Sequence, residues 1–266
     1  MFVIFGGSGF VGTALRRMLD REGVAYFAPD FDLCRIDSKD WVRDAVNDGD
    51  TLVMLAAYTH EHGKPHRLAE LNVRMAASVI EGIEGKQLQH CVYISSDSVY
   101  GVSDSVITES TPVCPNTVYG HMHALREQMF KDRFPELTIL RPCAIYGKGD
   151  THNAYGINQF VKTATEEGQI TLFGEGEEMR SNVHVDDVAA VIAKSARDKI
   201  SGVFNVNCGR AYSFMQLAEI IGGNGVRILS KPRTQPVTHR LVDNSLLVAK
   251  FMPMRTAHQG IAEMME

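Results

Sequence analysis

The chain is poor in the features that mark several protein classes. Its five cysteines, Cys34, Cys91, Cys114, Cys143 and Cys208, are odd in number and far apart, with no CxxC pair. That excludes a disulfide framework and a zinc site of clustered thiolates, and it suits a reducing compartment. Basic charge is not in excess. Lys and Arg number 27 against 32 Asp and Glu, for a formal net charge of -5 and a pI near 6.1. No Lys/Arg run interleaved with aromatics occurs, so no nucleic acid partner is expected. No apolar run approaches the ~20 residues of a membrane span, and the first apolar run begins at residue 2, which leaves no room for a signal peptide. Internal repeats and low-complexity tracts are also missing. The expectation is a cytoplasmic protein with no membrane partner and no metal, whose 266 residues form one large domain or one and a half. A fold of that size buries roughly three quarters of its extended-chain surface.

What the chain does have stands at its start, FVIFGGSGFVG from Phe2 to Gly12. Phe2 to Phe5 is too short for a helix and stops at glycines, so it reads as a buried parallel strand. Gly6, Gly9 and Gly12 fall three apart, and Gly7, Gly9 and Gly12 satisfy GxGxxG. Val11, Ala14, Leu15, Met18 and Leu19 then recur at helical spacing. Glycines where a strand turns into a helix meet the needs of a dinucleotide site: a tight turn, backbone close to a pyrophosphate, and free N–H groups facing negative charge.

Further along, Val24 to Ala28 predicts a second strand ending at Pro29-Asp30. An acid there can accept both ribose hydroxyls of adenosine and would repel a 2′-phosphate, so Asp30 favours NAD over NADP. Asp32 and Asp37 flank a weak third strand. Asp37 is read either as an adenine contact or as the N-cap of the helix carrying Trp41, Val42, Ala45 and Val46. Thr51 to Ala57 is the next strand, its small residues letting a cofactor lie close. The loop from His60 to His66 holds three histidines without a partnering HExxH or cysteine framework, and is not read as a metal site. Leu68 to Ile83 predicts an amphipathic helix, and Cys91 to Ser95 a strand running into Ser95-Ser96-Asp97-Ser98. These hydroxyls lie beyond a carboxyl end, where ligands of an open parallel sheet gather. Tyr119 to Arg133 reads as a helix with Tyr119 and His123 four apart on one face. Leu137 to Leu140 is a strand that ends at Arg141-Pro142. Strands alternating with helices imply an α/β fold with a doubly wound parallel sheet. The irregular, glycine-rich stretch from Gly147 to Gly176 signals a smaller lobe. A helix from Val185 to Ala196 and a strand from Val203 to Val206 return to the main sheet, and residues beyond Gly209 complete the lobe.

In this order the pieces resemble the extended short-chain dehydrogenase/reductases, in their NAD-dependent epimerase/dehydratase branch. The segments that carry the resemblance are GGSGFVG at 6–12, LAA at 55–57, ISSDSVYG at 94–101, VYG at 118–120, LRPCAIYG at 140–147, LFGEGEEMRSNVHVDDVA at 172–189 and FNVNCG at 204–209. The resemblance implies a Rossmann-type NAD-binding domain of residues 1–147 plus about 183–208, and a smaller substrate-binding lobe of 148–182 plus 209–266. It implies cofactor contacts from Gly6, Gly9, Phe10, Val11, Gly12, Asp30, Asp37, Leu55, Ala56, Ala57, Tyr119, His123 and Pro142. Ser96 matches the family's catalytic Ser/Thr, and Tyr119 its acid/base. Ser96 and Asp97 are expected against the sugar. Asn158, Gln159 and Arg180 are expected against a nucleotide sugar, with Arg180 gripping phosphate. A homodimer through the helices of Tyr119 and Leu68 is a further implication.

Two departures stand out. Four residues after Tyr119, where the family has lysine, stands His123. Lysine contacts the nicotinamide ribose there and lowers the pKa of the tyrosine. His titrates near ~6.5 and supplies less charge at neutral pH, yet it can still hydrogen-bond a ribose hydroxyl. The second departure is Asp97-Ser98 where sugar 4,6-dehydratases carry Asp-Glu, which removes a base for the proton beside a ketone. The expected activity is NAD-dependent epimerisation of a sugar or nucleotide sugar through a transient ketone. Net reduction of a keto-sugar, and NAD binding without catalysis, remain open alternatives.

Overall fold

The computed structural model describes every residue except 60, 61, 104 and 224. Two compact units are present: Met1–Gly101, Thr111–Arg141 and Val188–Phe204 form one, and Val102–Ser110, Pro142–Asp187 and Asn205–Glu266 the other. The chain runs β1 (Phe2–Phe5), α1 (Phe10–Arg21), β2 (Tyr26–Phe27), α2 (Ser38–Ala45), β3 (Thr51–Met54), α3 (Pro65–Gly82), β4 (His90–Ile94), a 3-10 turn (Asp97–Tyr100), α4 (Val118–Arg133) and β5 (Thr138–Pro142). It continues through β6 (Ala144–Tyr146), α5 (Ile157–Glu167), β7 (Gln169–Phe173), β8 (Met179–His184), α6 (Val185–Asp198), β9 (Gly202–Val206), β10 (Ala211–Ser213), α7 (Phe214–Gly222), β11 (Arg227–Lys231), α8 (Ser245–Lys250) and α9 (Ala257–Met265).

In the first unit the strands order as β2-β1-β3-β4-β5-β9. β1 pairs parallel with β2 and β3, β3 with β4, and β4 with β5. Every residue of β3 and β5 is buried, as expected of parallel strands covered on both faces. Val3, Phe5, Leu52, Met54 and Tyr93 share one core cluster with Val42, Met75, Val79 and Phe130 of α2, α3 and α4. The two-residue period of a strand sends the intervening Ile4 and Val53, also fully buried, to the opposite face. The sheet is therefore doubly wound.

Three local expectations are corrected. The second strand contracts to Tyr26–Phe27. No third strand forms near Asp32: its carboxylate accepts the Cys34 N–H at 2.8 Å, a side-chain turn that outcompetes ladder bonding. The strand from Thr51 stops at Met54, because the N–H groups of Leu55 and Ala56 both donate to the Phe5 carbonyl, at 2.9 and 3.0 Å. That leads the chain off the sheet beside the glycine turn. β5, by contrast, runs on through Arg141 and Pro142.

The second unit holds a three-stranded sheet, β10-β8-β6, and the parallel pair β11-β7. β10 lies antiparallel to β8 with Tyr212 opposite Arg180, and β6 parallel to β8 with Tyr146 opposite His184. Its core gathers Tyr146, Ile157, Phe160, Leu172, Phe214, Leu217 and Ile261. Capping boxes, Ser213 with Gln216 and Thr256 with Gln259, start α7 and α9, satisfying N–H groups a helix start leaves open.

Candidate active site

The glycine turn follows from what side chains would do there. A Cβ on Gly6, at φ +89°, would stand 2.5 Å from the Ala56 nitrogen, and one on Gly12 2.2 Å from the Gly6 carbonyl oxygen. Both glycines are forced by packing within the chain. Gly9 is different, since a Cβ there would meet only the Gly6 oxygen, at an ordinary 3.5 Å. The open space before Gly9 is what a diphosphate needs. α1 begins at that residue with no side-chain cap and no acid in its first turn, so its positive end is unneutralised. Phe10 and Val11 form the first helical residues, both half-buried. The residues present fit a bound dinucleotide.

Around this turn the other expected cofactor residues divide. Leu55 and Ala56 are drawn against Gly6 by their bonds to Phe5, and half-buried Ala57 follows them. Asp30 is exposed just beyond β2, the strand beside β1. Asp37 precedes α2 without capping it by side chain. Its carboxylate is instead engaged by Arg35 at 3.0 and 3.1 Å, which holds it below the usual carboxylate range. Pro142 is buried at the end of β5.

The two elements that carry Ser96 and Tyr119 approach each other closely. Thr117 caps α4, its hydroxyl accepting the Gly120 N–H at 3.0 Å. A Cβ on Gly120 would lie 2.4 Å from the Ser98 carbonyl oxygen; glycine after Tyr119 thus lets α4 rest on the 3-10 turn. Ser96 caps that turn, its Oγ accepting the Ser98 N–H at 3.1 Å and lying 3.1 Å from Ser98 Oγ and 3.5 Å from Asp97. Tyr119 sets its ring edge-on to His123, centroids 4.6 Å apart at 76°. His123 is buried, its Nδ1 is 2.9 Å from the Tyr93 hydroxyl, and its Nε2 has no partner. Burial first, and the charge of Arg126 second, push His123 well below its ordinary range, so its imidazole is neutral at neutral pH. Desolvation pushes the Tyr119 phenol up to about 12, with Arg126 pulling it down and Asp97 raising it. Solvent reaches 37 % of Tyr119, which softens that rise without changing its direction.

Sequence reasoning passed over three residues of this neighbourhood. Asn72, fully buried on α3, accepts the Tyr58 N–H at 2.9 Å and donates to the Tyr58 and Leu68 carbonyls at 2.9 and 2.8 Å. It closes the loop behind Ala56 and Ala57. The available signal was an asparagine in register with Leu68, Met75, Ala76 and Val79 on an apolar stripe. Tyr93 had no signal beyond its place in a buried strand. Arg126 is fully buried too, with Nη2 donating to the Ala56 carbonyl at 2.8 Å and Nη1 to Asn72 Oδ1 at 3.4 Å. Its spacing, three after His123 and seven after Tyr119, was the sign.

In the second unit, Asn158 and Arg180 line one cavity of about 100 Å³ together with Tyr155, Asn182 and Phe214; Gln159 is not among its lining residues. Asn158 accepts the Gly147 N–H at 3.1 Å and donates to the Ile145 carbonyl at 3.3 Å. Arg180 donates to the Thr238 carbonyl at 2.6 Å and pairs with Glu178. Among the described residues, His184, Asp186 and Glu263 bring ligand-type atoms within 4.8 Å of one another. Arg255 already pairs with Glu263 at 2.9 Å and with Asp187, so the cluster has its counter-charge. Of the histidine loop, residues 60 and 61 lie outside the described residues. No helix among the described residues is long and apolar enough to cross a membrane.

Residues 2–209 match the sequence profile of the NAD dependent epimerase/dehydratase family. An N-acetyl-alpha-D-glucosaminyl-diphospho-ditrans,octacis-undecaprenol 4-epimerase of Escherichia coli O157:H7 is 23 % identical over 216 residues, 75 % of this chain and 64 % of the relative's length. Among solved structures, a UDP-glucose 4-epimerase from Thermotoga maritima with UDP-glucose aligns at TM-score 0.85 and 20 % identity, covering 99 % of this chain and 97 % of its own. A dTDP-glucose 4,6-dehydratase double mutant from Streptomyces venezuelae, with NAD bound, aligns at 0.84 and 19 %, covering 100 % and 95 %. The glycine turn, the small-residue loop folded against it and the profile match across residues 2–209 agree: the chain belongs to the NAD-dependent epimerase/dehydratase family, and its cofactor is NAD.

Proposed function

We propose that the protein is an epimerase acting on a nucleotide sugar or a closely similar diphospho-sugar, through a transient keto intermediate. The observation that carries this reading is the edge contact of Tyr119 with a buried, neutral His123, on a helix held against the turn that Ser96 caps. A tyrosine, a serine hydroxyl and a hydrogen-bonding partner are the groups that oxidation of a secondary alcohol requires. NAD, when bound, supplies a reversible hydride acceptor. Tyr119 as phenolate takes the proton of the sugar hydroxyl, and Ser96 donates a hydrogen bond to the same oxygen, with Asp97 beside it. His123 stands where the family's lysine would orient the nicotinamide ribose, and it backs Tyr119. Once the ketone has turned over, Tyr119 returns the proton, and the product is the C4 epimer. Asp30 accepts the adenosine ribose hydroxyls, and Asn158 and Arg180 hold the nucleotide end of the substrate. Asp97-Ser98 lacks the second acid of a dehydratase, which argues against elimination. The three relatives named above share a sugar carried on a diphosphate in their names; that shared chemistry is the substrate class.

The face between α3 and α4 supports a homodimer. Ala69, Val73, Val118, Met122 and Leu125, together with Glu70 and His121, line an open, mainly apolar hollow of about 450 Å³, with Val118 and Leu125 about half exposed, at 46 % and 50 %.

Purified protein should carry NAD, identified by mass, and interconvert a UDP-hexose with its C4 epimer, followed by NMR of the product. Tyr119→Phe is expected to lose roughly 10²–10⁴ in rate. Full turnover by that variant, or stoichiometric consumption of reduced cofactor with wild type, would overturn the reading.

A further inference from the structure

A neutral His123 in the lysine position leaves open where the positive charge of this site comes from. We propose that Arg126 is its positioning cation, supplying to Tyr119 through space the charge that lysine supplies elsewhere in the family. The inference rests on the assignment of Tyr119 made under the proposed function. Among the described residues Arg126 is the largest fully buried side chain, at 0 % exposure. Among the described residues it has no carboxylate partner. Its hydrogen bonds go to neutral oxygens, the Ala56 carbonyl at 2.8 Å and Asn72 Oδ1 at 3.4 Å, and its Nε has no acceptor. A buried guanidinium is ordinarily paired. One that is not points to negative charge present only in the working state.

The geometry says where that charge arises. Arg126 lies over the ring of Tyr93 at 5.2 Å; the Tyr93 hydroxyl is 2.9 Å from His123 Nδ1, and His123 packs edge-on to Tyr119 at 4.6 Å. Tyr119, His123 and Arg126 fall at helical spacing on one stripe of α4. Through Ala56 the same guanidinium is tied to the loop that lies on Gly6. The other polar groups of this neighbourhood are Asp97 from the 3-10 turn, Tyr93 from β4, Asn72 from α3 and Glu127 on α4. Glu127 is answered elsewhere, by Arg141 at 2.6 and 2.8 Å and by Ser95 at 2.6 Å. Arg126 favours the phenolate of Tyr119 and disfavours protonation of His123, so one cation biases both groups.

The test is the titration of Tyr119 in the NAD-bound protein, read as tyrosinate absorbance against Tyr119→Phe. It needs no sugar, so it reports even if the proposed substrate is wrong. Arg126→Met should move the titration alkaline by about one unit, tenfold less phenolate at a given pH, while Arg126→Lys should hold it within a few tenths. The limb of the kcat profile on which rate rises with pH should move with it. His123→Gln should leave the titration in place, and adding His123→Lys to Arg126→Met should bring it back. Should Arg126→Met not fold, Arg126→Gln removes the charge and is read the same way. A folded, NAD-bound charge-removal variant with an unmoved titration would overturn the proposal. So would a His123→Gln shift as large as one unit.

Discussion

At the scale of single residues, burial governs the histidines. His90, His123 and His184 are all buried and all held below their usual range, with desolvation the leading cause in each. In the unfolded chain these imidazoles take up protons below about 6.5, and in the folded protein they do not. The unfolded state then binds more protons, so stability falls as pH drops below that value and is level above it. Asp187, raised by burial, acts in the opposite sense but at the lower pH of carboxylates. The urea midpoint is expected to stay constant between about pH 7 and 8 and to decline from about 6.5 downward, less steeply in His123→Gln. A midpoint that rises on mild acidification would contradict this. The same desolvation marks the limit of residue-by-residue reading. Ser96, Tyr119 and His123 are singled out by the resemblance to the family's motifs, whereas Arg126 looks like any helix arginine until its neighbours are known.

At the scale of elements, α4 is held by a charged core. Arg141 of β5 grips Glu127 through two bonds, both side chains at most 3 % exposed, and donates to the Tyr100 hydroxyl at 2.8 Å. Ser95 Oγ completes the carboxylate at 2.6 Å. Glu127→Ala leaves the guanidinium buried without its partner and is expected to cost about 3–5 kcal/mol in urea unfolding. The double variant Glu127→Leu with Arg141→Met should cost less than either single change, because no charge is left stranded. A single-variant cost under about 1 kcal/mol would mean that water replaces the partner. These charges also explain why α4 announced itself weakly. Its inward face carries His123, Arg126 and Glu127 beside Met122 and Phe130, which mutes the apolar period that made α3 plain. The lost third strand has a similar origin, since Asp32 bonding to Cys34 is a local competitor that hydrophobic pattern does not register.

At the scale of the whole molecule, the α3–α4 face is where a second copy is expected. Leu125→Glu puts a charge into that apolar hollow and should convert a dimer into a monomer in sedimentation velocity, with NAD still bound. A wild-type protein that sediments as a monomer at micromolar concentration would remove the dimer. The second of the two units takes in Val102–Ser110 as well as Pro142–Asp187 and Asn205–Glu266. Ile107 makes a bridge with Val242, and a pairing between residues so distant in sequence leaves no trace in local pattern.

The amino-acid order alone determined the alternation of strands and helices and the strand-to-helix glycine turn, because period and backbone conformation are local properties. Only the tertiary structure decided that Gly9 faces open space, that Asp37 is taken by Arg35, that His123 is neutral and that Arg126 is buried without a carboxylate. Each of those depends on desolvation and on partners brought together from distant segments, and burial is a property of the packed chain.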